Sequence, residues 1–116
     1  MALGELYFGR NGFNMIVDNN WADVIMPDVK HVGGFGPLLD VCQHFSNKLE
    51  ISPHNPSGPV STAASLQAAA ISPAVTSLEI PLIVDNKKAY YLEWIDDGTL
   101  AISDGDGWGV EFKDLH

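Results

Sequence analysis

Cysteine and basic residues are scarce in this 116-residue sequence. It contains one cysteine, Cys42, and six lysines and arginines in total. A single thiol excludes an internal disulfide, and one cysteine with four scattered histidines lacks the paired spacing of a structural zinc site. Residues 1–5 also lack the basic and apolar regions of a secretory signal. We therefore predict a cytoplasmic protein without a disulfide or a bound metal.

The shortage of basic residues leaves a strong excess of negative charge. Fifteen Asp and Glu residues give a formal net charge of −9. Nonspecific nucleic-acid binding needs lysine and arginine to neutralise phosphates, so this charge argues against it, and against docking on an anionic membrane. A basic protein is the partner that the charge favours.

Charge of either sign is absent from residues 51–78, twenty-eight consecutive positions. This length could cross a bilayer, but four prolines and many hydroxyl and amide side chains exclude a membrane span. A neutral segment of small residues either covers the core or forms a contact between subunits. We favour the first use slightly and keep a homodimer through residues 51–78 as the alternative.

Hydrophobic residues make up 46% of the chain, enough for one domain over residues 1–116. Around Asn11-Gly12, a favoured two-residue hairpin turn, apolar side chains alternate with polar ones. This pattern predicts an antiparallel hairpin whose inner face consists of Leu6, Phe8, Phe13, Met15 and Val17. Residues 21–26 read as a third strand, which Pro27 interrupts or places at an edge.

Two helices are predicted next. Over residues 37–49 the apolar side chains fall on one helical stripe, which contains Leu38, Val41, Cys42, Phe45 and Leu49. After a loop rich in proline and glycine, Ser61 or Thr62 could cap a short helix that continues through Ala70 and ends before Pro73.

A second β-meander is predicted in the last third of the chain. Alternation predicts strands at residues 78–84 and 89–95, and a three-residue loop, Asp96-Asp97-Gly98, keeps Trp94 and Leu100 on one face. Further strands follow at Leu100–Ile102 and Trp108–Phe112. The predicted fold is α+β, βββ-α-α-ββββ, with an antiparallel sheet of two meanders packed against the 37–49 helix.

No motif in the sequence meets the geometric needs of a catalytic or cofactor site. His44 lies about 200° around the helix from Cys42 and cannot serve it as a base. Asp104-Gly105-Asp106-Gly107 lacks the register of a calcium loop, and Gly33-Gly34-Phe35-Gly36 fits neither nucleotide-binding fingerprint. We expect no cofactor, and we lean against an enzyme while leaving that question open.

Acidic residues in turns near tryptophan are the strongest collective feature. Such a surface suits electrostatic steering toward a basic target. The leading hypothesis is a non-enzymatic protein that inhibits or neutralises a basic partner, in the manner of an immunity protein that binds a toxin or of an inhibitor of a nucleic-acid enzyme. The candidate partner-binding residues are Trp21, Asp23, Asp96, Asp97, Asp104, Asp106 and Trp108.

Two other classes of function stay open. One is a small-ligand binder or minor enzyme with a pocket between the 37–49 helix and the sheet, where His31, His44 or His54 would supply the polar group. The other is a structural protein that self-associates through residues 51–78.

Overall fold

The computed structural model describes residues 1–80, 101–102 and 104–109. Strands and helices alternate along the chain. Their bounds are β1 Ala2–Leu3, α1 Gly9–Asp18, β2 Val24–Ile25, α2 Phe35–Phe45, β3 Glu50–Ile51 and α3 Pro59–Ile71. None of these helices has the length and apolar character needed to cross a membrane.

The three short strands form a parallel sheet in the order β1-β2-β3. An isolated parallel bridge between Ile51 and Val75 continues the sheet beyond β3. Each crossover between parallel strands needs a long connection, which α1 and α2 provide. The prediction of an antiparallel sheet made of two β-meanders is therefore wrong, because the order along the chain is βαβαβα rather than βββ-α-α-ββββ.

The predicted first hairpin is a helix, α1. Phe13 and Ile16 are fully buried and three residues apart, and Val17 packs against the same core. Met15 is 54% exposed, although the hairpin would have buried it and left Ile16 outside. Phe13 and Val17 fit the spacing of a strand as well as that of a helix, so only Ile16 and Met15 distinguish the helix from the hairpin.

The helix predicted at residues 37–49 is confirmed as α2, although it begins at Phe35 and ends at Phe45. Its predicted apolar stripe is buried from Leu38 to Phe45. The predicted short helix is confirmed as α3, which begins earlier than expected, with Pro59 in its first turn. The buried side chains of α3 are all small: Thr62, Ala63, Ala64, Ser65 and Ala68.

Most of the predicted second meander, including the loop Asp96-Asp97-Gly98, lies outside the described residues. Leu78 to Ile80 are described and form no strand, and neither do residues 101–102 and 104–109. The predicted third strand at residues 21–26 contains β2, but β2 lies between two parallel neighbours rather than at an antiparallel edge.

Gly4 allows the chain to leave β1 close to α1. Its φ is +121°, and a Cβ there would lie 2.6 Å from Cε1 of Phe13. We expect Gly4→Ala to lower the free energy of unfolding by about 2 kcal/mol or more, because the substitution adds both backbone strain and overpacking. Chemical denaturation measures this loss.

Gly36→Ala is the matched control, because Gly36 lies in α2 and a Cβ added to it would meet no atom of another part of the described structure within 4 Å. It should change the free energy of unfolding by less than about 1 kcal/mol, because the gain in helix propensity is offset by the restriction that Pro37 places on the residue before it. Equal effects at Gly4 and Gly36 would contradict the close approach at Gly4.

Candidate functional site

Two polar residues follow neighbouring parallel strands at the same edge of the sheet. Asp28 comes three residues after β2 and His54 three residues after β3. The register that pairs Ile25 with Ile51 also pairs Asp28 with His54. The backbone N–H of His54 donates to the carbonyl oxygen of Pro27 at 3.1 Å. This pairing holds the two side chains next to each other at the carboxyl ends of the strands.

The side chains of Asp28 and His54 are joined by a hydrogen bond. Nδ1 of His54 lies 2.9 Å from Oδ2 of Asp28, whose side chain is fully buried. An ionised carboxylate can only accept hydrogen bonds, so Nδ1 donates to it, and in the neutral form of the ring the lone pair is then on Nε2. The His54 side chain is 21% exposed, so part of the ring is in contact with solvent.

Lys30 also binds the Asp28 carboxylate. Its backbone N–H donates to Oδ1 at 2.8 Å, and its Nζ donates to Oδ2 at 2.6 Å. Burial raises the pKa of Asp28, but the hydrogen bonds from Lys30 and His54 and the charge of Lys30 outweigh it, so the pKa lies below its ordinary value. Asp28 is therefore ionised at neutral pH, and both of its carboxylate oxygens accept hydrogen bonds.

A second carboxylate lies on the other side of the imidazole ring. Oε2 of Glu79 is 3.7 Å from Nε2 of His54. The backbone N–H of Asn55 donates to the same oxygen at 2.9 Å, and Nδ2 of Asn55 donates to the Glu79 carbonyl at 3.0 Å. Nδ2 also donates to Oγ1 of Thr62 at 2.7 Å. Buried Asn55 thus holds Glu79 beside His54.

This arrangement suits proton transfer at Nε2 of His54. Asp28 orients the ring and fixes its tautomer, and Nε2 can take or return a proton at a bound molecule. A buried carboxylate with a lowered pKa, such as Asp28, beside a partly exposed histidine at strand ends is typical of active sites. Among the described residues, no three His, Cys, Asp or Glu side chains lie close enough together to hold a metal ion.

The sequence interpretation missed three members of this site, Asp28, Lys30 and Glu79, and named His54 only as a polar group for a different pocket. A signal was present in the spacing: a short segment with an aliphatic residue at its second position, Leu3, Ile25, Ile51 and Val75, recurs every 22 to 26 residues. The residues at these positions differ, so the recurrence lies in the spacing of the strands and not in a repeated sequence.

The space where a pocket was predicted, between the 37–49 helix and the sheet, is filled by core side chains. Leu38, Val41, Cys42 and Phe45 are fully buried on that side of α2. Burial raises the pKa of the Cys42 thiol to about 11, which keeps it neutral. His44 is exposed on α2. His31 bonds through Nδ1 to the backbone oxygen of Glu5 at 2.6 Å.

The predicted partner-binding residues do not lie together where they are described. Trp21 and Asp23 precede β2, at the opposite edge of the sheet from Asp28, and the amino group of Met1 pairs with Asp23. The rings of Trp108 and Phe35 pack in a T-shaped arrangement with 5.1 Å between their centroids. The remaining four are acidic: Asp104 and Asp106 are exposed, and Asp96 and Asp97 lie outside the described residues. Their role toward a partner stays a prediction.

Known proteins share the alternation of parallel strands and helices that this chain shows. A model of the family "Enolase C-terminal domain-like" matches residues 1–115, a family with a TIM-barrel-type fold. A solved member of the enolase superfamily from Salmonella Typhimurium aligns with 97% of this chain and 30% of its own, at 23% identity and a TM-score of 0.85.

Two curated relatives are sugar-acid dehydratases. The chain is 27% identical over 97 residues to a D-galactonate dehydratase of Ralstonia pickettii, covering 82% of this chain and 25% of the relative. It is 29% identical over 100 residues to a D-xylonate dehydratase of Haloferax volcanii, covering 84% and 22%. The chain thus spans about a quarter of the length of these relatives.

These findings overturn the prediction of a non-enzymatic inhibitor resembling an immunity protein. That prediction used net charge and the lack of familiar motifs, but the strand ends carry a histidine and two carboxylates in contact, and the relatives are enzymes. With its match over residues 1–115, the chain belongs to the enolase C-terminal domain-like family.

Proposed function

We propose that this chain supplies the proton-transfer residue of a dehydratase that acts on sugar acids. The observation that carries the proposal is the hydrogen bond between Asp28 and His54 at the adjoining carboxyl ends of two parallel strands. Active sites of barrels built from parallel strands lie at this edge. The two curated relatives, named for D-galactonate and D-xylonate, supply the substrate class.

Dehydration of such an acid breaks the C–H bond next to the carboxylate and the neighbouring C–OH bond. The carbon proton leaves to a base, and the hydroxyl leaves as water after it gains a proton. The resulting enol rearranges to a 2-keto acid. His54 is the group with a free nitrogen lone pair at this edge, so it takes or delivers one of these protons through Nε2.

Asp28 and Glu79 support that step without taking part in bond breaking. Asp28 keeps the ring oriented through Nδ1. Glu79, held by Asn55, places a carboxylate 3.7 Å from Nε2. A group at that distance can accept a hydrogen bond from the protonated ring once small movements shorten the contact.

Enolase-superfamily sites combine a lysine or histidine base with Mg²⁺, which stabilises the enediolate. The described residues do not form such a metal site by themselves. We therefore assign no step of this chain to the metal. The cytoplasmic location favoured by the single cysteine stays part of this proposal.

The proposal is tested by incubating the protein with Mg²⁺ and either D-galactonate or D-xylonate. We expect a 2-keto acid, detected as its semicarbazone, with deuterium at the carbon that lost its hydroxyl when the reaction runs in D₂O, because that carbon takes up a solvent proton as the enol becomes the keto acid. Reversible removal of the proton next to the carboxylate would also exchange deuterium into the unreacted acid. The corresponding lactones, which lack a free carboxylate, are the matched controls and should not react. Absence of both product and deuterium exchange with either acid would reject the dehydratase.

A further inference from the structure

Lys30 is the one cation that contacts the Asp28–His54 pair among the described residues. Its ammonium and the imidazole of His54 bind the same carboxylate oxygen, Oδ2 of Asp28, at 2.6 Å and 2.9 Å. Neither the proposed proton transfer nor the packing of the core requires a lysine here. The side chain of Lys30 is 42% exposed, while the carboxylate it binds is fully buried.

We propose that Lys30 is a positioning residue that sets the pH at which the Asp28–His54 pair gives up its proton. The inference rests on the proposed function, because it concerns the histidine that would transfer the proton. Lys30 would act through Asp28 and not by touching the substrate.

The physical reason is that the ammonium of Lys30 and the protonated imidazole of His54 are both stabilised by the one negative charge of Asp28. A protonated imidazole is stabilised by the Asp28 carboxylate, and an ammonium on the same oxygen offsets part of that carboxylate's charge. The pair therefore releases its proton at lower pH than it would with a neutral residue at position 30. The two groups titrate together, so the effect belongs to the pair.

Within residues 1–80 and the other described positions, one further charged group faces the pair, and it follows α3 in the chain. Glu79 lies 3.7 Å from Nε2 of His54 and favours the protonated ring. Asp28 and Glu79 thus place two carboxylates around the imidazole, and Lys30 is their counter-charge in the described contacts.

Lys30 also orients the Asp28 carboxylate, through its backbone as well as its side chain. Its N–H donates to Oδ1 of Asp28, while its side chain donates to Oδ2. Any substitution at position 30 other than proline keeps the N–H bond. A side-chain variant therefore removes the charge while leaving one of the two contacts that orient the carboxylate.

The test compares Lys30→Met, which removes the charge, with Lys30→Arg, which keeps it. In Lys30→Met we expect the limb of the kcat/KM–pH profile that the pair sets to move to higher pH by about one unit, with a plateau within about threefold of wild type. This is the acid limb if His54 takes the proton and the alkaline limb if His54 delivers it. Lys30→Arg should restore the wild-type limb. A uniform loss of activity with an unmoved limb would overturn the proposal.

A second measurement does not depend on activity. In protein carrying ¹³C-labelled aspartate, the carboxyl signal of Asp28, assigned with Asp28→Asn, reports its ionisation directly. We expect the pKa of Asp28 to rise in Lys30→Met, because the variant removes the hydrogen bond and charge that lower it. An unchanged pKa would reject the role of Lys30 even if the protein is an active dehydratase.

Lys48→Met is the matched control. Lys48 also has an ammonium group near the surface, but it lies over the ring of Phe45, 5.3 Å from the centroid, and not at Asp28. It should change neither the Asp28 pKa nor the pH profile. If Lys30→Met does not fold, Lys30→Gln removes the same charge and takes its place. A dehydratase assay without product, together with a raised Asp28 pKa, would reject the proposed function and keep the coupling through Lys30.

Discussion

Replacing His54 with asparagine is expected to lower kcat for sugar-acid dehydration by a factor of about 10²–10⁴, the usual contribution of a general acid or base. Nε2 of His54 is the proton-transfer atom at the strand edge, and asparagine supplies no basic nitrogen in its place. Steady-state kinetics with D-galactonate or D-xylonate measure the loss. Deuterium exchange next to the carboxylate should fall in parallel if His54 removes that proton.

His44→Asn is the control for this experiment. His44 lies exposed on α2, with its ring against the edge of Phe45 at 4.7 Å, and has no contact with the Asp28 carboxylate. The activity of this variant should match wild type. The free energy of unfolding of His54→Asn must also be measured, because the substitution removes a partner of buried Asp28. A folded His54→Asn protein with wild-type kcat would contradict the assigned role.

Truncating Phe45 to alanine is expected to lower the free energy of unfolding by about 3–5 kcal/mol, the range for buried aromatic residues. Phe45 is fully buried at the end of α2, and its ring lies 6.4 Å from that of Phe13 on α1. The substitution leaves a cavity where the two helices meet the sheet. Urea denaturation followed by circular dichroism measures the loss.

Met15→Ala is the matched control, because Met15 is a large apolar residue on α1 whose side chain is 54% exposed. We expect a change within about 0.5 kcal/mol. If Phe45→Ala and Met15→Ala were equally destabilising, the core would not lie on the side of the helices that the structure shows. The predicted hairpin placed Met15 on the buried face, so it would give Met15→Ala a large loss of stability.

The helix α2 could be predicted from the sequence because its apolar residues fit one period only. Leu38, Val41, Cys42 and Phe45 follow the helical stripe, and all are buried. The segment that became α1 fits two periods, since Phe13 and Val17 suit both a strand and a helix. A favourable Asn-Gly pair supported the hairpin, but that pair lies inside the helix.

The site was harder to predict than the helices, because it depends on strand neighbours. Asp28 and His54 are 26 residues apart in the sequence, and Asn55 and Glu79 are separated by 24. An antiparallel arrangement gives these residues no shared edge. Once the strands are parallel, a constant register brings each pair together.

The sequence by itself determined the helix at α2, the helix at α3, the apolar environment of Cys42 and the excess of acid. The helices and the environment of Cys42 follow from the periodicity of residues that are close in the sequence, and the negative charge follows from composition. Only the tertiary structure decided the direction of the strands and the assembly of Asp28, Lys30, His54 and Glu79. Strand direction depends on which distant segments pair, because an isolated short strand has the same apolar pattern in a parallel or an antiparallel sheet.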